Sequence, residues 1–124
     1  MADAIGIDIV DTGRIKRIYA RYGRRFLRRV LGPGEIALFE HRADKVAFLA
    51  GRFAAKEAAI KALGRYLTSP PPLNTLQILN DAAGRPQLIV PSELRDRLLR
   101  VRCLVSISHE KSSAVGMAVL TEEI

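Results

Sequence analysis

Residues 48–64 read FLAGRFAAKEAAIKALG, an alanine-rich run that forms one strong helix on its pattern. On a helical wheel centred on Val46, at about 100° per residue, Leu49, Ala50, Phe53, Ile60 and Gly64 fall on one side. Glu57 and Lys61 fall among them. A carboxylate and an ammonium therefore share the apolar arc, one helical turn apart. On a buried face such groups cost free energy or shift their pKa unless something compensates. On a solvated face the same pair is an ordinary contact of roughly 0.2–0.5 kcal/mol. The helix alone leaves both readings open.

Working outward, residues 4–10, AIGIDIV, have the period of two of a strand. Ile5, Ile7 and Ile9 share one face; Gly6, Asp8 and Val10 share the other. Asp8 stands mid-strand, where aspartate is disfavoured, and Asp11 is placed to cap a following helix, with Thr12 as its rival. From Thr12 the period becomes helical: Ile15, Ile18, Tyr19 and Tyr22 make an apolar stripe. Arg14, Arg17, Arg21, Arg25 and Arg28 gather on another side if helical phase persists past Gly23. No acid lies between Thr12 and Gly34, so this basic face lacks the partners a solvated face uses and reads as a docking surface for something acidic.

After the turn LGPG at residues 31–34 comes a short helix over 35–41, then the long helix over about 44–66. TSPPPLN at 68–74 is irregular, because consecutive prolines hold the chain extended. Residues 75–80 and 86–90 read as two short strands joined by a hairpin with Gly84 at its tip. A helix over 92–100 is expected to start with Ser92 as its cap and to bury Leu94, Leu98 and Leu99. Residues 101–108 and 113–121 close the chain as two strands, whose apolar density places them at the sheet centre. The expectation is a single α+β domain over residues 1–124, a mainly antiparallel sheet packed against a long helix.

The chain has 124 residues, 48% of them hydrophobic, with no Trp and a formal net charge of +7. That length suits one domain, and the charge calls for an anionic partner: nucleic acid, membrane surface, phosphorylated small molecule or acidic protein. A lone cysteine, Cys103, excludes a disulfide framework or multi-cysteine zinc site. The sequence shows neither a signal-peptide pattern nor a long apolar span, so a cytoplasmic location is expected and no membrane partner.

Asp8 and Glu57 are the acids worst placed for structure alone. If the helix packs on the sheet, both can meet at its edge. Two adjacent carboxylates need a proton or a metal between them, and hard oxygen ligands suit Mg²⁺, whose other positions go to water and substrate phosphates. Lys61 then reaches a phosphate oxygen and stabilises developing charge; Arg52 and Lys56 add cations to the same helix. Ser106, Ser108 and His109 lack the third member and spacing of a catalytic triad. His109 reads equally as a phosphate donor or a turn residue. The P-loop and dinucleotide fingerprints are absent.

GIDIVD at residues 6–11 and RFAAKEAAIKALG at 52–64 resemble the two signature blocks of the holo-acyl-carrier-protein synthases, the short bacterial class of 4′-phosphopantetheinyl transferases. The spacing between the blocks fits. GRP at 84–86 and SISH at 106–109 stand where that family has its later landmarks. The resemblance implies the 4′-phosphopantetheinyl transferase fold and transfer of the phosphopantetheine arm of coenzyme A to a serine of an acidic acyl carrier protein, with adenosine 3′,5′-bisphosphate leaving. Implied roles follow residue by residue: Mg²⁺ on Asp8 and Glu57, the reacting phosphate on Lys61, and the 3′-phosphate of coenzyme A near Arg52 and His109. Gly84, Arg85 and Pro86 would line the adenine side, and Arg14 would dock the carrier, with Arg17 and Arg21 on the same stripe. A homotrimer with sites at subunit interfaces is implied as well, serving fatty-acid or polyketide synthesis. Asp11 departs from a frequent glutamate. Two other readings are a basic nucleic-acid module on residues 14–29 and a structural subunit; the first leaves Asp8, Glu57 and Lys61 unexplained, and no nucleic-acid partner is expected.

Overall fold

The computed structural model describes residues 2–123. Strand β1 (Ala2–Asp11) leads into helices α1 (Thr12–Tyr22), α2 (Arg24–Val30), α3 (Pro33–Glu40) and the long α4 (Lys45–Ala62). A hairpin of β2 (Gln77–Asn80) and β3 (Pro86–Ile89), a single turn of helix α5 (Ser92–Arg95), and strands β4 (Val101–His109) and β5 (Ser113–Glu122) complete the chain. The main sheet has the order β1-β5-β4, antiparallel throughout, and β2–β3 form a separate two-stranded sheet. This is the expected α+β arrangement. Among the described residues no helix is long and apolar enough to cross a membrane.

Helix α4 crosses all three strands at unusually close range. A Cβ on Gly6 would lie 1.9 Å from the Ala58 carbonyl oxygen, and one on Gly116 would lie 2.3 Å from the Ala55 nitrogen. Only hydrogen at those two sheet positions, facing alanine on the helix, lets the backbones touch. Ala54, Ala55, Ala58, Ala59 and Ala62 are fully or almost fully buried there. The other buried flank of α4, with Phe48 and Leu49, packs into a core with Ile15, Leu27, Val30 and Phe39 from the first three helices and Leu31 from the turn after α2.

The apolar arc centred on Val46 is therefore buried only at its flanks, by Leu49 and Ala50, and not at its centre. At about 100° per residue, the arc of Val46, Phe53, Glu57 and Ile60 lies opposite Ala55, and these four are only half-buried. Gly64 falls beyond the helix and is exposed. The ionisable residues that α4 does bury are Arg52 and Lys56. Large apolar residues point the wheel the wrong way when the sheet-facing side is built from alanine.

The isoleucine face of β1 turns away from α4: Ile5, Ile7 and Ile9 are 62%, 58% and 68% exposed, while Gly6 and Val10 are buried. Two other expectations change. Of the last two strands only β5 is central; β4 is an edge, with Leu104 exposed. The helix after Pro91 stops after one turn and continues as a 3₁₀ turn, Asp96–Leu98. Pro91 holds its cap position, Ser92 makes no side-chain cap bond, and Leu99 is 79% exposed. That segment buries only Leu94 fully before the chain must turn into β4. By contrast Asp11 caps α1 as expected, accepting from the Gly13 N–H at 3.1 Å. Gly23, at φ 57°, breaks helical phase, so Arg25 and Arg28 on α2 do not continue the stripe of α1.

Candidate functional site

The alternation of β1 places Asp8 on the α4 side of the sheet, between Gly6 and Val10. Because Gly6 admits the helix backbone, the last turns of α4 reach the strand. The Lys61 ammonium donates to the Ile7 carbonyl at 2.8 Å and to Asp8 Oδ1 at 3.3 Å. The Asp8 side chain is 23% exposed and Lys61 55%. Glu57 stands one turn before Lys61 on the same face, half-buried, and joins no ion pair among the described residues. No cluster of three or more His, Cys, Asp or Glu side chains forms among the described residues. Two hard oxygen donors beside open solvent fit Mg²⁺, which takes one or two carboxylates and fills its shell with water and phosphate oxygens.

A second group of residues surrounds a cleft of about 280 Å³ where the first half of α4, the end of β4 and the hairpin meet. Arg42, Arg52, Gly84, Pro86 and His109 line it. Arg52 is 8% exposed; its guanidinium lies 4.3 Å from the Phe48 ring centroid and donates to the Ile78 carbonyl at 3.1 Å and Asn80 Oδ1 at 3.4 Å. Its Nε is buried without a partner. Burial holds Arg52 below the usual arginine value, Glu35 opposes that shift and Arg42 adds to it. Arg42 forks onto Asp44 at 2.7 and 2.8 Å, and those bonds hold Asp44 below the usual carboxylate range. A buried arginine with a free donor, a second arginine and a histidine make a cationic pocket suited to a phosphate.

Gly84 adopts φ 85° at the hairpin tip, where Asp81 accepts from the Ala83 and Arg85 N–H groups, both at 2.9 Å. Arg85 is not brought to the cleft: it turns back onto Asp81 at 3.0 Å and faces the groove between β3 and β4. Lys61 likewise lies at the Asp8 edge and not in the cleft lining. The two groups nevertheless occupy one row of the sheet, since Asp8 pairs with Gly116 and Gly116 with Ile107 of the cleft wall. Two strand spacings put the Asp8 and Ile107 backbones roughly 10 Å apart.

Arg14, Arg17 and Arg21 are all exposed on α1; Arg17 reaches Asp11 only at 4.0 Å, and Arg21 lies 5.4 Å from the Tyr22 ring centroid. Sequence reasoning missed Arg42, which precedes α4 and belongs to no periodic pattern. It also missed the buried pair of Glu35 and Lys56, whose atoms approach to 2.5 Å with both side chains fully buried. Burial pushes the Lys56 ammonium below the usual lysine value, while Glu35 pulls it back up.

Residues 4–118 match the family model of the 4′-phosphopantetheinyl transferase superfamily. A holo-[acyl-carrier-protein] synthase of Chlorobium chlorochromatii is 47% identical over 118 residues, covering 94% of this chain and 98% of that protein. The crystal structure of the Neisseria meningitidis holo-[acyl-carrier-protein] synthase superposes with a TM-score of 0.87 at 32% identity, over 98% of this chain and 100% of that one. The Helicobacter pylori synthase, solved in complex with coenzyme A, matches with a TM-score of 0.79 at 34% identity, over 94% of this chain and 99% of that one.

Proposed function

The chain belongs to the 4′-phosphopantetheinyl transferase superfamily, among its holo-acyl-carrier-protein synthases, and from that premise we propose how its own residues carry the reaction. As a single domain it transfers the 4′-phosphopantetheine arm of coenzyme A to a serine hydroxyl of an acidic apo acyl carrier protein. The serine oxygen forms a bond to the phosphorus that bears the pantetheine, and the bond from that phosphorus to the bridging oxygen breaks. The pair of electrons leaves on adenosine 3′,5′-bisphosphate, and the serine proton goes to Glu57 or to water. The location is cytoplasmic and the product serves fatty-acid or polyketide synthesis.

The observation that carries this reading is the shared sheet row: an acidic edge at one end and a cationic cleft at the other, separated on the scale of a nucleotide. Arg52 and His109, which line the cleft, hold the 3′-phosphate. Gly84 and Pro86 flank the adenine. Asp8 and Glu57 would hold Mg²⁺, which would supply positive charge against the pyrophosphate and so improve the leaving group. Lys61, anchored by the Ile7 carbonyl, keeps a positive charge where the transferred phosphate gains negative charge. Arg14, Arg17 and Arg21 steer the acidic carrier to α1.

A homotrimer is part of the same reading, with the site at subunit interfaces. Ile5, Ile7 and Ile9 sit beside Val119, Met117 and Val115 of β5, and Leu104 extends the apolar face onto β4. A contiguous exposed apolar sheet face marks an association surface, and Asp8 lies on the opposite, α4-facing side of the same strand. The test is mass spectrometry of an apo carrier protein incubated with this protein, coenzyme A and Mg²⁺, with and without EDTA. The carrier gains the mass of the arm only without EDTA, and Asp8→Ala or Glu57→Ala abolishes the gain. No gain with any divalent metal overturns the assignment.

A further inference from the structure

We propose that Glu35, held by Lys56, is a positioning residue that sets the β2–β3 hairpin as one wall of the cleft and thereby fixes Arg52. The proposal rests on the reading that this cleft takes the nucleotide end of coenzyme A.

The hairpin pairs with no strand of the main sheet, and a two-stranded hairpin is marginal by itself. Ile78 stands opposite Leu88, and its N–H and C=O both point outward, toward the helices, where a third strand would pair. Side chains take that strand's place. Glu35 Oε2 accepts from the Ile78 N–H at 2.9 Å, and Arg52 donates to the Ile78 carbonyl at 3.1 Å. One residue earlier, the Gln77 side chain accepts from the Gly34 N–H at 2.8 Å. The edge of β2 is thus completed by α3 and α4.

Glu35 Oε1 meanwhile accepts from the Gly32 N–H at 3.0 Å and from Lys56 at 2.5 Å, and Lys56 also donates to the Val30 carbonyl. Through two fully buried side chains the end of α2, the start of α3, the middle of α4 and the edge of β2 are tied to one another. Stability alone does not account for such a pair, because packed apolar residues commonly replace a buried ion pair without loss. What apolar residues cannot supply is an acceptor for the Ile78 N–H. Two residues beyond Ile78 is Asn80, which lines the cleft and accepts from Arg52. Arg52 is clamped between this hairpin and the Phe48 ring. Glu35 does not line the cleft; it acts on the substrate only through Ile78 and Arg52.

The experiment compares the wild type with Glu35→Gln and with the double variant Glu35→Leu/Lys56→Met, by steady-state kinetics, thermal unfolding and amide hydrogen exchange. In Glu35→Gln the KM for coenzyme A rises about tenfold or more, the order set by one lost charged hydrogen bond, while the KM for the carrier protein stays within about twofold. The Ile78 amide exchanges faster, and amides of β5 keep their wild-type rates. The double variant, which removes both buried charges together, regains part of the Tm lost in Glu35→Gln but keeps the raised KM and the fast Ile78 exchange. A double variant that restores both Tm and KM, or a Glu35→Gln protein with wild-type KM for coenzyme A, overturns the proposal. A wild-type measurement stands apart from folding of the variants: the Ile78 amide must be as protected as the β5 amides, and exchange as fast as that of the hairpin tip refutes the anchoring. Failure of the functional reading shows instead in the wild type, which then does not turn over coenzyme A.

Discussion

Replacing Gly6 with alanine tests whether the contact of α4 with β1 sets the site. The added methyl lies 1.9 Å from the Ala58 carbonyl oxygen, 2.8 Å from its carbon and 3.0 Å from the Ala62 nitrogen. Ordinary contact begins at 3.4 Å, so the helix must lift by about 1.5 Å at Ala58. The clash is backbone against methyl, with no flexible side chain to yield, which places the cost near the upper end of overpacking, about 3 kcal/mol. For a chain of this size that lowers Tm by roughly 10 °C. Glu57 and Lys61 flank Ala58 on the lifted turns, and the Lys61–Asp8 contact, at 3.3 Å now, moves out of hydrogen-bond range. Misplacement of reacting groups by 1 Å costs about 100-fold in rate, so kcat for arm transfer falls by that order while the KM for the carrier protein holds. Thermal unfolding and the carrier mass-shift rate measure both quantities. Gly64→Ala is the control, because a Cβ there meets nothing within 4 Å and the residue has no positive φ. A Gly6→Ala protein with the Tm and kcat of the Gly64→Ala control refutes the reasoning.

Other perturbations address separate parts of the molecule. Ile7→Lys places a charge on the exposed isoleucine face; analytical ultracentrifugation should show a trimeric wild type and a monomeric, still folded variant, and a monomeric wild type removes the basis for the interface. Arg17→Glu, on the exposed face of α1, should raise the KM for the carrier protein, flatten its salt dependence and leave kcat at saturation unchanged; equal salt dependence in both proteins counts against electrostatic docking. Burial pushes the Cys103 thiol up to about 11 from 9.0, so at pH 8 the native protein carries about 100-fold less thiolate than an unburied cysteine. Iodoacetamide should alkylate it slower by that order until urea unfolds the chain, and equal rates in both states contradict its burial.

Local pattern was enough for most elements. The period of two in residues 4–10, the change of period at Thr12 and the alanine-rich run each depend on neighbours a few residues apart, so β1, α1 and α4 were legible directly. So was the hairpin around Gly84, whose positive φ the tip requires. The two signature blocks pointed to Asp8, Glu57 and Lys61 as site residues, and the structure brings Lys61 onto Asp8. Arg85 was less well placed because its partner Asp81 decides where it turns, and that competition has no periodic signal.

The sequence by itself determined which residues share a face; tertiary structure decided which face is buried, and against what. The wheel of α4 grouped Phe53, Glu57 and Ile60 correctly yet assigned their arc to the core. The sheet took the opposite arc, because Gly6 and Gly116 allow backbone contact only where the helix offers alanine. For the same reason the isoleucines of β1 face outward and Lys56, read in the sequence as one more cation for a phosphate site, ends fully buried on Glu35. Periodicity carries phase within an element and nothing about its partner, whereas close approach of two backbones depends on small residues far apart in the chain.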